Sequence, residues 1–263
     1  MGPSVVYSWP DLGSLEPSSG QIVAAPQGTQ LLLAGRAHNV GLSAYVADMD
    51  ASELTDHELG REMELRLECY RNLADADAGL YEVWSATGVL ADMADDEQDD
   101  PDVEVVRVRL VRCSLGGPDL WRVLDGLEAD LGTVASVLLD TESGEVKDEL
   151  NVVPGLGSHL LILDKVECDS RFQGRQIGRW IASEAIGALT PGTEIVGAIA
   201  APLNCSDDAV QKRASAKLRK VWASVGFVDV ERRRHVMALN PDLRTTHDRR
   251  AVLRERFGLG TMR

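Results

Sequence analysis

From Gln173 to Arg179 the chain reads Gln-Gly-Arg-Gln-Ile-Gly-Arg, and residues of these types at this spacing suit the grip of a phosphate group. Glycines let a backbone approach an anion closely, and arginines neutralise its charge. A segment with the apolar spacing of a helix follows at once, through Ile177, Ile181, Ala185 and Ala188. A helix beginning here would aim its free N–H groups and the positive end of its dipole at the same spot. Arg171, Arg175 and Arg179 would make the surroundings locally basic.

Such a turn has to be held by the elements around it. Ahead of it, the stretch that starts at His159 begins as an apolar run with the length of a strand. After the helix, Glu194 to Ala200 is a short apolar run between Pro191-Gly192 and Pro202, and it predicts a second strand. Ala209 to Ala223 predicts a basic amphipathic helix, with Arg213, Lys217 and Lys220 facing water and Leu218, Val221 and Trp222 facing in. Gly226-Phe227 ends it, and Val228 to Leu239 predicts a hairpin with Arg232, Arg233 and Arg234 at its middle. The last segment, 243–263, is basic with a few apolar positions and predicts an appended helix or a tail.

Upstream, Val103 to Val111 alternates apolar and charged residues as a half-buried strand does. Gly116-Gly117-Pro118 opens a helix with Leu120, Leu124, Leu127 and Leu131 on one face, broken near Gly132 before a second helical piece through Val134, Val137 and Leu138. Thr141 to Ser158 reads as loop. Thr55 with Glu58 three residues on is a capping box, predicting a helix with Leu59, Met63, Leu67 and Tyr70 as its apolar stripe. Leu31 to Val40, Leu42 to Ala47 and Leu80 to Trp84 are strand-like. The aspartate-rich run from Asp92 to Asp100 is too acidic to bury and lacks the glycine and spacing of a calcium loop. It marks a boundary between an N-terminal α/β portion (1–100) and residues 101–241, with 242–263 as a basic C-terminal extension. Alternating strands and helices from His159 onward predict an α/β layered fold.

Composition narrows the function. With 44% apolar and 26% charged residues, the 263-residue chain is an ordinary globular one, long enough for a full core. A formal net charge of −15 would repel nucleic acid over most of the surface, so an anionic ligand needs a local basic pocket. The cysteines Cys69, Cys113, Cys168 and Cys205 show neither zinc spacing nor a disulfide framework. With no membrane-spanning run and no signal-peptide pattern, a reducing cytoplasm is the expected location.

Together these pieces resemble the GNAT superfamily of N-acetyltransferases, over roughly Val103 to Asn240. That family carries Gln/Arg-x-x-Gly-x-Gly/Ala between a strand and a helix, matched here by Gln173-Gly174-Arg175-Gln176-Ile177-Gly178. A second family signature, Leu-Tyr-x-x-x-Gly-Phe, is matched by Val221-Trp222-Ala223-Ser224-Val225-Gly226-Phe227, with a strand between the two motifs. The pattern departs at Gln176, where the family usually has Gly. It departs again at Trp222, where many members have the Tyr that protonates the leaving CoA thiolate. The helical stretch Leu120 to Leu138 stands where the family has a strand hairpin.

The resemblance implies a mixed, strongly twisted sheet flanked by helices, with an N-terminal α/β extension. It implies an acyl-CoA cosubstrate, most simply acetyl-CoA, and no metal. The acyl group would pass to an amine by direct attack on the thioester. Phosphates would bind the Gln173–Gly178 turn with Arg175 and Arg179, and the thioester oxygen a backbone N–H near Val166. Ser215 would lie near the pantetheine. Glu167, at the end of the central strand, is the leading candidate for the base, followed by Asp169 and then Asp164. Cys168 reads as a small core residue, and His159 and His235 as surface or strand-edge residues. Partners would be acyl-CoA and a small-molecule or protein amine, with neither nucleic acid nor membrane, and a homodimer would be in keeping with the family. Two other readings stay open: a non-catalytic acyl-CoA-binding or regulatory module on the same scaffold, and a nucleotide-binding α/β protein of another kind.

Overall fold

Apolar residues at consecutive positions suit a strand covered on both faces, and the run His159–Cys168 is that strand, β6. The computed structural model of the chain describes residues 5–6, 30–33, 54–70, 79–90, 103–117, 119–202, 208–232 and 234–260. Ahead of β6 come β1 (Val5–Val6), β2 (Gln30–Leu33), α1 (Asp56–Glu62), β3 (Met63–Tyr70), β4 (Tyr81–Leu90), β5 (Val103–Ser114), α2 (Leu120–Leu127) and α3 (Ala129–Leu138). After it come α4 (Ile177–Leu189), β7 (Thr193–Ile199), α5 (Asp208–Val225), β8 (Val228–Glu231), β9 (Val236–Leu239) and α6 (Arg244–Arg256). The described strands form one sheet in the order β1-β2-β3-β4-β5-β6-β7-β9-β8. The β6–β7 pair is parallel and joined through α4, while β2 to β6 run antiparallel in succession.

Side-chain alternation along the central strands builds two cores. Leu161 and Leu163 of β6, Val106 and Val108 of β5 and Val196 of β7 face α4, α5 and α6. Leu160 and Ile162 of β6, Val111 of β5 and Ile195 of β7 face α2 and α3 through Leu124, Leu131 and Val134. The fold is therefore α/β, a mixed sheet with helices on both faces. The C-terminal helix is docked rather than loose. Trp180 of α4 stacks on Phe257 with ring centroids 4.3 Å apart, and Arg254 bonds Glu184 at 2.9 Å.

Three expectations need correction. The capping box at Thr55 forms, with Glu58 N–H donating to the Thr55 hydroxyl at 3.2 Å, but its helix ends at Glu62. Met63 to Tyr70 is β3, because Met-Glu-Leu-Arg-Leu-Glu-Cys alternates apolar and charged residues at the period of a strand. The helical break falls at Glu128, whose backbone is extended, and not at Gly132. Gly132 lies inside α3, where a Cβ would come within 2.5 Å of the Asp125 side chain. Ahead of β6, the sequence finds β5 and the start of β4 but not β3, and α2 and α3 pack into the β5–β6 connection. Leu80 to Trp84 is the start of the longer β4. Readings that fall on 34–53, on the acidic run 91–102 and on Cys205 lie outside the described residues.

Candidate functional site

Parallel pairing between β6 and β7 runs from His159 to Leu163 and stops there, while β6 continues against β5 as far as Cys168. The two neighbours part company at Leu163. Among the described residues, one edge of residues 164–168 is thereby left without a strand partner, in the interior of the sheet. A cavity of about 310 Å³ fills the wedge, lined by Asp164, Lys165 and Glu167 of β6, Ile199 at the end of β7, Ala201 and Pro202 beyond it, Glu128 at the α2–α3 break, and Asp130, Leu131 and Val134 of α3.

A bulge sets which side chains reach that cavity. Arg109 opposes Lys165 and Leu110 opposes Leu163, so Asp164 is the extra residue on β6. The inserted residue reverses the alternation. Val166 and Cys168 stay packed on the α4 core, and Lys165 and Glu167 turn to the cavity. Asp164 is the most buried of the cavity's charged groups, with its side chain 2% exposed. Arg109 Nη1 donates to Asp164 Oδ2 and to Glu128 Oε2, both at 2.6 Å, and Lys165 Nζ bonds Glu128 Oε1 at 2.6 Å. Burial pushes the Asp164 carboxyl up despite Arg109, whereas hydrogen bonds from Lys165 and Arg109 hold Glu128 down. This network escapes a reading of the sequence, since Glu128 meets β6 only through the α2–α3 break. Arg109 and Asp164 are legible as charges in apolar strands, but not as a pair.

The network makes a testable point about stability. Arg109→Ala would strand a buried carboxylate and should cost about 3 kcal/mol in denaturant unfolding. Arg107→Ala, which breaks only the exposed pair with Glu104 at 2.6 Å, should cost less than about 1 kcal/mol. The native pKa of Asp164 is already raised, so its contribution to stability is full below the unfolded pKa and is lost as pH rises through the native one. Without Arg109 that pKa climbs further, so the Arg109→Ala defect should be largest at neutral pH and shrink in acid.

The glycine turn lies on the other face, under the end of β6. Gln173 Nε2 donates to the Cys168 carbonyl at 3.2 Å and ties the turn to the strand. Gly174 has φ +83°, which favours glycine, and a Cβ there would face open space. Gln176 has φ +69°, the left-handed conformation that a glycine adopts without strain. Ile177 anchors α4 in the core at 0% exposure. A Cβ on Gly178 would lie 3.4 Å from Val166 Cγ1, so the first turn of α4 sits directly against β6. No side chain caps α4, and its first backbone bond is from Trp180 N–H to the Gln176 carbonyl at 3.1 Å. The N–H groups before it are open donors.

The arginines divide sharply. Arg171 is paired with Asp169 at 3.0 Å. Arg175, expected to neutralise phosphate, instead donates to the Leu54 carbonyl and lies 3.1 Å from Asp56, which also holds Arg256 at 2.8 Å. Burial works against the Asp56 charge, but Arg256 and Arg175 hold its pKa below the usual range. Arg179 alone of these keeps a guanidinium bonded only to neutral groups, Ser224 Oγ at 2.7 Å and the side-chain carbonyl of Gln176.

The remaining candidates separate in the same way. Glu167 is exposed and lines the cavity. Asp169 caps the 3-10 turn Ser170–Phe172, accepting from Arg171 N–H at 2.8 Å, and hydrogen bonds from Arg171 keep it ionised to low pH. Val166 pairs with Val108 of β5 and, among the described residues, has no strand partner on the β7 side. Ser215 is 1% exposed on α5, and its hydroxyl has no hydrogen-bond partner among the described residues. Burial pushes the Cys168 thiol up, away from nucleophilic reactivity. His159 lies at the far end of β6, against Gly192. Trp222 is buried and meets Phe227 edge to face at 6.0 Å. Among the described residues there is no cluster of three metal-ligating side chains and no helix long and apolar enough to cross a membrane.

No family model and no curated protein matches the chain. Among solved structures, that of AtaTR bound with AcCoA is similar at 12% identity over 86% of this chain and 97% of that one, with a TM-score of 0.30. A structure of a point mutant of the AtaT toxin is similar at 10% identity over 85% and 94%, with a TM-score of 0.30. Likenesses so slight carry no argument about function. The chain's own order of elements is the firmer observation: strand, glycine turn, helix, parallel strand, helix and hairpin, in a mixed sheet, as the resemblance in sequence implies.

Proposed function

We propose that the protein is an acyl-CoA-dependent N-acyltransferase, with acetyl-CoA the simplest donor. The observation that carries this reading is the parting of β6 from β7 at Leu163 beside the uncapped start of α4. The wedge suits a thioester, and the open N–H groups suit the phosphates attached to it. In this reading the Gln173–Gly178 turn and Arg179 hold the pyrophosphate, and a backbone N–H near Val166 polarises the thioester carbonyl. Glu167 takes the proton from the acceptor ammonium. The amine lone pair attacks the carbonyl carbon, the C–S bond breaks, and amide, CoA thiol and one proton result. Asp169 is committed to its turn and takes no part. Residues 101–241 would form the acyl-CoA-binding unit, residues 1–100 would extend its sheet, and 242–263 would brace it through α6.

Acetyl-CoA at about 100-fold over its dissociation constant should stabilise the protein by roughly 2–3 kcal/mol in thermal unfolding. Absence of a shift with any acyl-CoA discards the reading. Gln176→Gly relieves a left-handed side-chain residue, a strain of about 1 kcal/mol, and frees Arg179. Its melting midpoint should hold or rise, and calorimetric titration should show tighter acetyl-CoA binding than in the wild type.

A second reading, an acyl-CoA-binding module without turnover, is favoured by Trp222. It is packed into the core against Phe227 where many family members carry the proton-donating Tyr. Release of free thiol from acetyl-CoA in the presence of amines separates the two.

A further inference from the structure

Apart from the glycine turn, the cavity on the α3 side of the wedge has a chemistry of its own. Four carboxylates gather there, Glu128, Asp130, Asp164 and Glu167, with Lys165 in the lining. Both nearby cations are committed, Lys165 to Glu128 and Arg109 to Glu128 and Asp164. Asp130 and Glu167 have no hydrogen bond or salt bridge with any described residue. The charge nearest Glu167 across the ladder, Arg107, is itself bridged to Glu104 at 2.6 Å. Asp130 also lies in the first turn of α3, at the positive end of the helix dipole. The cavity is therefore net negative, and the two of its charges with no hydrogen bond or ion pair to a described residue are both carboxylates, of which Glu167 also feels the charge of Arg107 across the ladder. Val134, Ile162 and Ile199 give it an apolar wall beside them.

We infer that this cavity is a subsite for a small di- or polyamine, a ligand whose second ammonium meets a carboxylate while its methylene chain lies on the apolar wall. A volume of about 310 Å³ fits such a ligand. This rests on the acyltransferase reading only in calling the ligand an acceptor. In that role the ammonium near Glu167 is the one that reacts, and Asp130 holds the other. A monoamine would leave one carboxylate without a partner, which sets the selectivity.

Calorimetric titration of the full chain with spermidine at low salt, without acyl-CoA, tests the subsite directly. Saturable one-to-one binding is expected, weakened about tenfold or more by Asp130→Asn and by Glu167→Gln, and weakened by added salt. Both side chains are exposed, so the variants should keep the wild-type melting midpoint. Butylamine should bind about tenfold or more weakly than spermidine. No spermidine binding, equal binding of butylamine, or binding indifferent to both substitutions would overturn the inference. The acyltransferase reading fails separately: loss of the acetyl-CoA shift with spermidine binding retained removes the donor and leaves the cation subsite.

Discussion

Gly178→Trp should abolish the rise in melting midpoint that acetyl-CoA produces. Gly178 is the second residue of α4, in the turn whose N–H groups have no cap, and a Cβ there lies 3.4 Å from Val166. An indole grown from that position has to occupy the gap between the helix start and the end of β6, where the phosphates and pantetheine would run. The whole ligand-dependent stabilisation, roughly 2–3 kcal/mol at about 100-fold excess, should vanish. Gly178→Ala is the control, because its methyl makes only ordinary contact and should leave the shift nearly intact. A tryptophan variant that still responds to acetyl-CoA would place the phosphates elsewhere.

Glu167→Gln should lower kcat for acyl transfer about 10²-fold or more, the usual contribution of a positioned base, while acetyl-CoA binding stays as in the wild type. The glycine turn and Glu167 lie on opposite sides of β6, so the two properties are separable. Asp169→Asn gives the contrast. It loosens the cap on the Ser170–Phe172 turn and should weaken stability or CoA affinity without a selective loss in kcat. Steady-state kinetics of the two variants against one amine decides between the carboxylates. Equal losses in both would remove Glu167 from the role.

The local signals in the sequence are strong around the turn and weak away from it. His159 to Leu189 shows its strand, glycines and helix because each is encoded by near neighbours: apolar continuity, backbone freedom and a 3.6-residue period. Leu59, Met63, Leu67 and Tyr70 fit a helical stripe, yet the same residues belong to a segment whose charges alternate, and pairing with β4 favours the strand. Local period alone does not choose between them. Long-range facts are out of its reach. The bulge at Asp164 exists only as a mismatch with β5, and the capture of Arg175 by Asp56 joins residues 119 positions apart. Gln176 departs from a glycine motif in sequence, but its φ of +69° is one that a glycine adopts without strain.

The parting of β6 from β7 also bears on motion. A central strand with partners on both sides is normally among the slowest parts of a sheet to exchange its amide hydrogens with solvent. In β6 that protection should be divided at Leu163. Amides from His159 to Leu163 are enclosed on both edges, and those of residues 164–168 that do not bond β5 open onto the cavity. In deuterated water one strand should therefore carry both slow and fast amides, and an acyl-CoA lying along the open edge would slow the fast ones.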